Sequence, residues 1–327
     1  MPPSLSSSAD AARRLLSPGR DSDYGARGRS PWLDVDWSQH LHRMEIRGSE
    51  VEYVDMGPRD ADAIVWIHGL GACWQTWLEN LPQFAETHRC VALDLPGFGR
   101  SPLPDYEITM EAYAGVVDEL CDRLGIERAA VVGNSMGGFV GATMAIHFDT
   151  RVDRLVLVSA AIFWQEYRRA KPLVTLARTT DATLGRAIVH GQPMMLKRPR
   201  LRALGLAFGG IRYPHLLPRE LQAELLLTAR RTRGFLPALE ALADYPLREE
   251  LAKVACPTLI VWGTDDTLVS VRHAHELETL LPNARKEIFE ATGHVAMLER
   301  PERFNRLVGE FLSAGAGAAE PAEATAA

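Results

Sequence analysis

The sequence predicts an α/β fold: a mostly parallel sheet with helices on both faces and a helical cap inserted late in the chain. Three observations lead there. Short apolar runs alternate with helix-spaced segments through the first half of the chain, the rhythm of strand–helix–strand units. Between residues 161 and 244 that rhythm stops; helical patterns and prolines continue without a convincing strand, and alternation resumes at Thr258. Finally, Gly133-Asn134-Ser135-Met136-Gly137 separates an apolar run from a helical one, a strand–turn–helix signature with glycine at both ends of the turn.

Ordered structure is expected from Trp32, after a Ser/Pro/Arg/Gly-rich stretch over residues 1–31 whose composition predicts disorder. Residues 40–47 and 50–56 alternate around Gly48-Ser49 and predict an antiparallel hairpin. Residues 63–67 are apolar throughout, as a strand buried on both faces must be, and end in His68-Gly69-Leu70-Gly71. A helix is predicted over 74–86 and a strand over 90–93, closed by the run Asp94-Leu95-Pro96-Gly97-Phe98-Gly99-Arg100-Ser101. The next helix, 109–124, has Gly125 as its stop signal. Residues 129–132 form the strand before the Ser135 turn, 138–148 the helix after it, and 155–158 the following strand. Inside the cap, 220–231 and 235–242 have helical spacing. A strand at 258–262, a helix at 271–281, a strand at 286–289 and a helix at 301–312 complete the chain. The core is therefore expected over 32–160 and 245–312, with the cap over 161–244 and a second disordered tail over 313–327.

At 327 residues, 46% apolar and 24% charged, the chain can bury a sizeable core. A net charge of −6 gives no general reason to bind nucleic acid. Cys73, Cys90, Cys121 and Cys256 are scattered without C-x-x-C spacing, so neither a metal site nor a disulfide framework is indicated. No stretch approaches the roughly 18 uninterrupted apolar residues of a membrane span. The first thirty residues hold no apolar signal core, which points to a cytoplasmic protein. The cap carries 14 Lys and Arg against 6 Asp and Glu, with a cluster at Lys197-Arg198-Pro199-Arg200-Leu201-Arg202; such a run is most simply a solvated face.

The chemistry centres on Ser135. A turn this sharp strains its central residue, and bulky neighbours two positions away would collide, which is why Gly133 and Gly137 flank it. A serine hydroxyl needs an adjacent base, itself oriented by a third group. His294, in a loop just after the last strand, lies at the sheet edge where open α/β sheets place their chemistry. The acid should come from a strand end before it, and Trp262-Gly263-Thr264-Asp265-Asp266-Thr267 offers Asp265 and Asp266; spacing alone does not choose. An oxyanion would be held by the backbone N–H of Met136 and by one from the 68–71 loop, most plausibly Leu70. His68 reads as a structural histidine shaping that turn.

These residues, in this order, resemble the α/β-hydrolase superfamily over about residues 32–312. The matching pieces are H-G-L-G at His68, D-L-P-G-F-G-R-S at Asp94, G-N-S-M-G-G at Gly133, W-G-T-D-D at Trp262 and G-H-V-A-M-L-E-R-P-E at Gly293. The resemblance implies a Ser/Asp/His triad, with the acid three residues after the strand-ending glycine, hence Asp266. It also implies a structural role for the Asp94 loop and a cap that shapes the substrate pocket. G-N-S-M-G-G looks like the meta-cleavage-product hydrolases, which split a carbon–carbon bond in dienoate ketones; Asn134 matches their pattern, whereas Val295 stands where they generally carry tryptophan. Elbows of this type also occur in carboxylesterases, lipases and perhydrolases. Haloalkane dehalogenases and epoxide hydrolases would need an aspartate at Ser135. The expectation is a cofactor-independent serine hydrolase acting on a small, largely apolar ester or acyl compound. C–C bond hydrolysis, or a ligand-binding receptor role with little turnover, are the alternatives. Trp74, Phe163, Trp164, Asn134 and Val295 are the expected pocket residues, with Trp77, Met194, Met195, Leu196 and Phe208 as further apolar candidates.

Overall fold

The computed structural model describes residues 23–163, 197–228 and 232–314. The sheet begins with an antiparallel hairpin, β1 (Leu41–Ile46) and β2 (Ser49–Met56). Its two-residue connection, Arg47-Gly48, has positive φ at both positions (52° and 74°), the backbone that matches the twist of the strands it joins. Six parallel strands follow: β3 (Ala63–Ile67), β4 (Arg89–Leu93), β5 (Ala129–Asn134), β6 (Val152–Val158), β7 (Thr258–Gly263) and β8 (Ala284–Phe289). Together the eight strands form one sheet in the order β1-β2-β4-β3-β5-β6-β7-β8. Only the β1–β2 and β2–β4 pairings are antiparallel.

Both faces of this sheet are buried, which explains strands without polar alternation such as β3 and β4. On one face Val65 and Ile67 pack with Tyr113, Val116, Phe139 and Leu277. On the other Ile64 and Trp66 pack with Trp77, Phe84, Phe304 and Val308. The covering helices are α1 (Leu81–Phe84), α2 (Met110–Arg123) and α3 (Met136–His147) before the insertion. Thr109 caps α2 by accepting from the Ala112 N–H, and Gly125 (φ 67°) ends it. Between β6 and β7 lie α4 (Pro199–Phe208), α5 (Arg219–Thr228) and α6 (Phe235–Asp244). α7 (Arg272–Leu280), the one-turn α8 (Ala296–Glu299) and α9 (Pro301–Ser313) are the last helices of the described residues.

Two expectations are corrected. The helix predicted over 74–86 is a 3-10 turn, Trp74–Trp77, followed by the short α1. Pro82 lacks a backbone N–H and is accepted only in a first helical turn, so the chain restarts there instead of continuing. Residues 23–31, expected to be disordered, are held by specific bonds. Ser30 and Trp32 donate to buried Glu79, and Tyr24 donates to buried Glu299. Their partners lie some 50 and 275 positions away in the chain, which composition cannot show. Among the described residues no helix is long and apolar enough to cross a membrane.

Candidate active site

Ser135 joins β5 to α3 with φ 54° and ψ −115°, a conformation that L residues adopt only under strain. The flanking glycines are obligatory. A Cβ on Gly133 would lie 2.2 Å from the Gly137 carbonyl oxygen, and one on Gly137 would lie 2.1 Å from that of Ile67. The turn is pinned by the Ser135 N–H to the Val158 carbonyl (2.9 Å), while the Ser135 carbonyl accepts from Phe139 and Ala161. Met136, the next residue, starts α3, so its N–H sits at a helix N-terminus, where negative charge is favoured.

The loop after β3 passes directly beside this turn, since a Cβ on Gly69 would come within 3.2 Å of the Ser135 Cβ. His68 is fully buried, and its Nε2 accepts the Leu95 N–H at 3.0 Å. The remaining proton therefore sits on Nδ1, which donates to the Gly69 carbonyl at 2.8 Å. The same carbonyl accepts from the Ala72 N–H. In a trans peptide the following N–H points the opposite way, so fixing the Gly69 carbonyl fixes the direction of the Leu70 N–H. Burial pushes the His68 pKa down to about 4, keeping the ring neutral. The expectation of a structural histidine thus acquires a mechanism. Asp94 has a similar role nearby, accepting from Trp74 and Arg100 N–H groups at 2.8 Å each, with Gly99 packed against its carboxylate.

His294 and Asp266 meet across 2.8 Å, Nδ1 to Oδ2, with both side chains almost wholly buried. The other Asp266 oxygen accepts from the Leu268 and Val269 N–H groups at 2.9 Å each, which aims the carboxylate and leaves it acceptor-only. Asp265, the other candidate, turns to Arg212 instead (2.8 Å). Asn134 links the serine turn to the histidine loop, donating to the carbonyls of Val158 (3.1 Å) and His294 (3.2 Å). A third support comes from the inserted segment, where the Gly210 carbonyl accepts the His294 N–H at 2.9 Å.

The other expected pocket residues scatter. Trp74 is buried and packs at a tilt against Trp37 with ring centroids 5.0 Å apart, and Trp77 lies in the core against Trp66. Phe163 packs edge-on to His273 and under the Arg248 guanidinium. Val295 is buried with its N–H directed to Glu299. Phe208, expected to face a pocket, is instead 78% exposed, because α4 turns Arg202 and Leu206 inward. Trp164, Met194, Met195 and Leu196 lie outside the described residues. Of the basic cluster, Lys197, Arg198 and Arg200 are exposed, whereas Arg202 is buried and donates to Gln222.

Sequence reading missed Glu299. Its carboxylate is fully buried and accepts from the N–H groups of Gly293, Val295 and Arg212 and from the Tyr24 hydroxyl. Burial raises its pKa. The motif that carries it was in view, but nothing in G-H-V-A-M-L-E-R-P-E says that the glutamate folds back under the histidine.

The alpha/beta hydrolase fold family matches residues 62–301. The chain belongs to the α/β-hydrolase fold family. Among relatives of this α/β-hydrolase, an uncharacterized protein of Mycobacterium tuberculosis is 32% identical over 272 residues, covering 80% of this chain and 77% of its own. A 2-hydroxy-6-oxononadienedioate/2-hydroxy-6-oxononatrienedioate hydrolase of Pseudomonas putida is 30% identical over 296 residues, 86% of this chain and 99% of its own. Of solved structures, an esterase from Rhodococcus sp. ECU1013 superposes with a TM-score of 0.64 at 25% identity, covering 84% and 99%. The chain is thus a hydrolase of the α/β fold.

Proposed function

We propose that this hydrolase is a cofactor-independent serine enzyme that cleaves a carboxylic ester or related acyl compound through an acyl-enzyme. One observation carries the reading: Asp266 and His294 pair at 2.8 Å in a loop that Asn134 ties to the strained turn bearing Ser135. Because an ionised Asp266 accepts the Nδ1 proton, the lone pair of a neutral His294 is on Nε2. The Ser135 hydroxyl attacks the substrate carbonyl carbon as Nε2 takes its proton. Asp266 holds the tautomer and stabilises the imidazolium. The N–H groups of Met136 and Leu70 receive the oxyanion, each contributing about 3 kcal/mol to the transition state. The imidazolium then protonates the leaving alcohol. Water, deprotonated by His294, attacks the acyl-enzyme, releases the acid and restores Ser135.

An ester substrate is supported by the likeness to the Rhodococcus esterase. A second reading, C–C bond hydrolysis, is favoured by the Pseudomonas putida relative and by the G-N-S-M-G-G turn. The test is a panel of p-nitrophenyl esters from acetate to octanoate, a lactone and a 2-hydroxy-6-oxo-dienoate ketone, each with Ser135→Ala beside the wild type. Ester turnover that vanishes in Ser135→Ala supports the proposal, and turnover that survives it overturns it. A strong preference for the dienoate ketone moves the chain to the second reading.

A further inference from the structure

We infer that Tyr24 is a positioning residue for the general base His294, acting through Glu299. The inference rests on the proposed role of His294 and extends it to a segment far from the site in sequence. The loop carrying His294 is gripped from below by two consecutive buried side chains. Glu299 accepts from the N–H groups of Gly293 and Val295, the residues on either side of the histidine. Arg300 donates from Nε to the Thr292 hydroxyl (2.7 Å) and from its terminal nitrogen to the Glu290 carbonyl (2.9 Å). Two charged groups buried this deeply need partners of their own, and two consecutive residues of the N-terminal segment supply them in reverse order. Asp23 pairs with Arg300, and the Tyr24 hydroxyl donates to Glu299 at 2.5 Å. The Gly25 N–H adds a bond to the Glu299 carbonyl at 2.7 Å.

The Tyr24 hydroxyl does a second thing. It accepts the Tyr213 N–H at 2.8 Å, one residue after Arg212, whose own N–H reaches Glu299 and whose guanidinium reaches Asp265. The 210–213 segment lies within the insertion, between α4 and α5, and it also holds the His294 N–H through the Gly210 carbonyl. A single hydroxyl therefore closes a ring of bonds running through the N-terminal segment, the insertion and the loops that carry Asp266 and His294. The Tyr24 ring itself lies edge-on to Tyr213 and beneath the Arg300 guanidinium, at 5.4 Å in each case. Removing only the oxygen leaves that packing in place and strips a donor from Glu299 and an acceptor from the Tyr213 N–H.

The discriminating variant is Tyr24→Phe, assayed with p-nitrophenyl butyrate alongside thermal melting. Slack in the histidine loop misplaces a proton acceptor without touching substrate, so kcat is expected to fall about ten-fold with KM held within about two-fold. A folded Tyr24→Phe protein with kcat within two-fold of wild type overturns the inference, as does a kcat loss matched by an equal rise in KM. Should Tyr24→Phe fail to fold, Asp23→Asn, which weakens the hold on Arg300, is judged by the same criteria. Wild-type protein without esterase turnover sinks the proposed function, and this inference with it. Wild-type turnover with an unaffected Tyr24→Phe sinks the inference alone.

Discussion

His68→Gln isolates the cost of keeping one imidazole neutral inside the core. The ring is fully buried between the Leu95 N–H and the Gly69 carbonyl and edge-on to Phe98. Burial lowers its pKa from 6.5 to about 4. The unfolded chain thus takes up a proton near pH 6.5 that the folded chain refuses until about pH 4. Between those values the unfolded state binds more protons, so stability is complete above pH 6.5 and drains away as pH falls. At about 1.4 kcal/mol per pH unit, the loss from this residue approaches about 2–3 kcal/mol by pH 4.5. Glutamine does not titrate there, although its side-chain oxygen can accept from Leu95. Urea unfolding of both proteins at pH 7.5 and pH 4.5 provides the assay. At pH 7.5 the variant is the less stable protein; by pH 4.5 the gap shrinks by about 2–3 kcal/mol or reverses. A gap that stays constant between the two pH values refutes the neutral buried histidine. Activity should also fall in His68→Gln, by up to about 100-fold in kcat, because the Gly69–Leu70 peptide loses the bond that aims the Leu70 N–H.

Other outcomes follow from the same geometry. Asp266→Asn should lower kcat by about 10³–10⁴ with modest change in KM, whereas Asp265→Asn, which loosens Arg212 and the Thr264 hydroxyl but not His294, should cost less than about ten-fold. Steady-state kinetics on a single ester separates the two carboxylates. Gly137→Ala puts a methyl group 2.1 Å from the Ile67 carbonyl oxygen, so the backbone of the turn must move. A loss of at least about 1–3 kcal/mol in urea unfolding is expected, accompanied by a loss of activity. An active, fully stable Gly137→Ala would contradict the geometry of the turn.

The middle of the sheet was legible because its strands are buried on both faces. β3, β4 and β7 appear as uninterrupted apolar runs, and their ends fell within one residue of prediction. The turn at Ser135 was legible for a partly local reason: the clash that demands Gly133 is with the Gly137 carbonyl four residues on, whereas the one that demands Gly137 is with Ile67 of β3. Long-range polar contacts were not. Asp265 and Asp266 are chemically alike and adjacent; only the fold shows that one meets Arg212 and the other His294. Tyr24 sits in a stretch whose composition reads as disordered, yet buried Glu299 recruits it across the whole chain. The pocket guesses at Trp74, Phe163 and Phe208 relied on apolar character, which cannot separate a pocket wall from core or from surface. In the structure Trp74 and Phe163 are core, and Phe208 is exposed.

The most direct measurement is covalent. The protein is treated with a fluorophosphonate, digested with trypsin and mapped by mass spectrometry, with Ser135→Ala and His294→Ala treated in parallel. One phosphonyl group on the peptide containing Ser135 is expected in the wild type, none in Ser135→Ala, and labelling slowed by at least about 100-fold in His294→Ala. Stoichiometric labelling at another residue, or labelling of Ser135→Ala at the wild-type rate, would contradict Ser135 as the nucleophile.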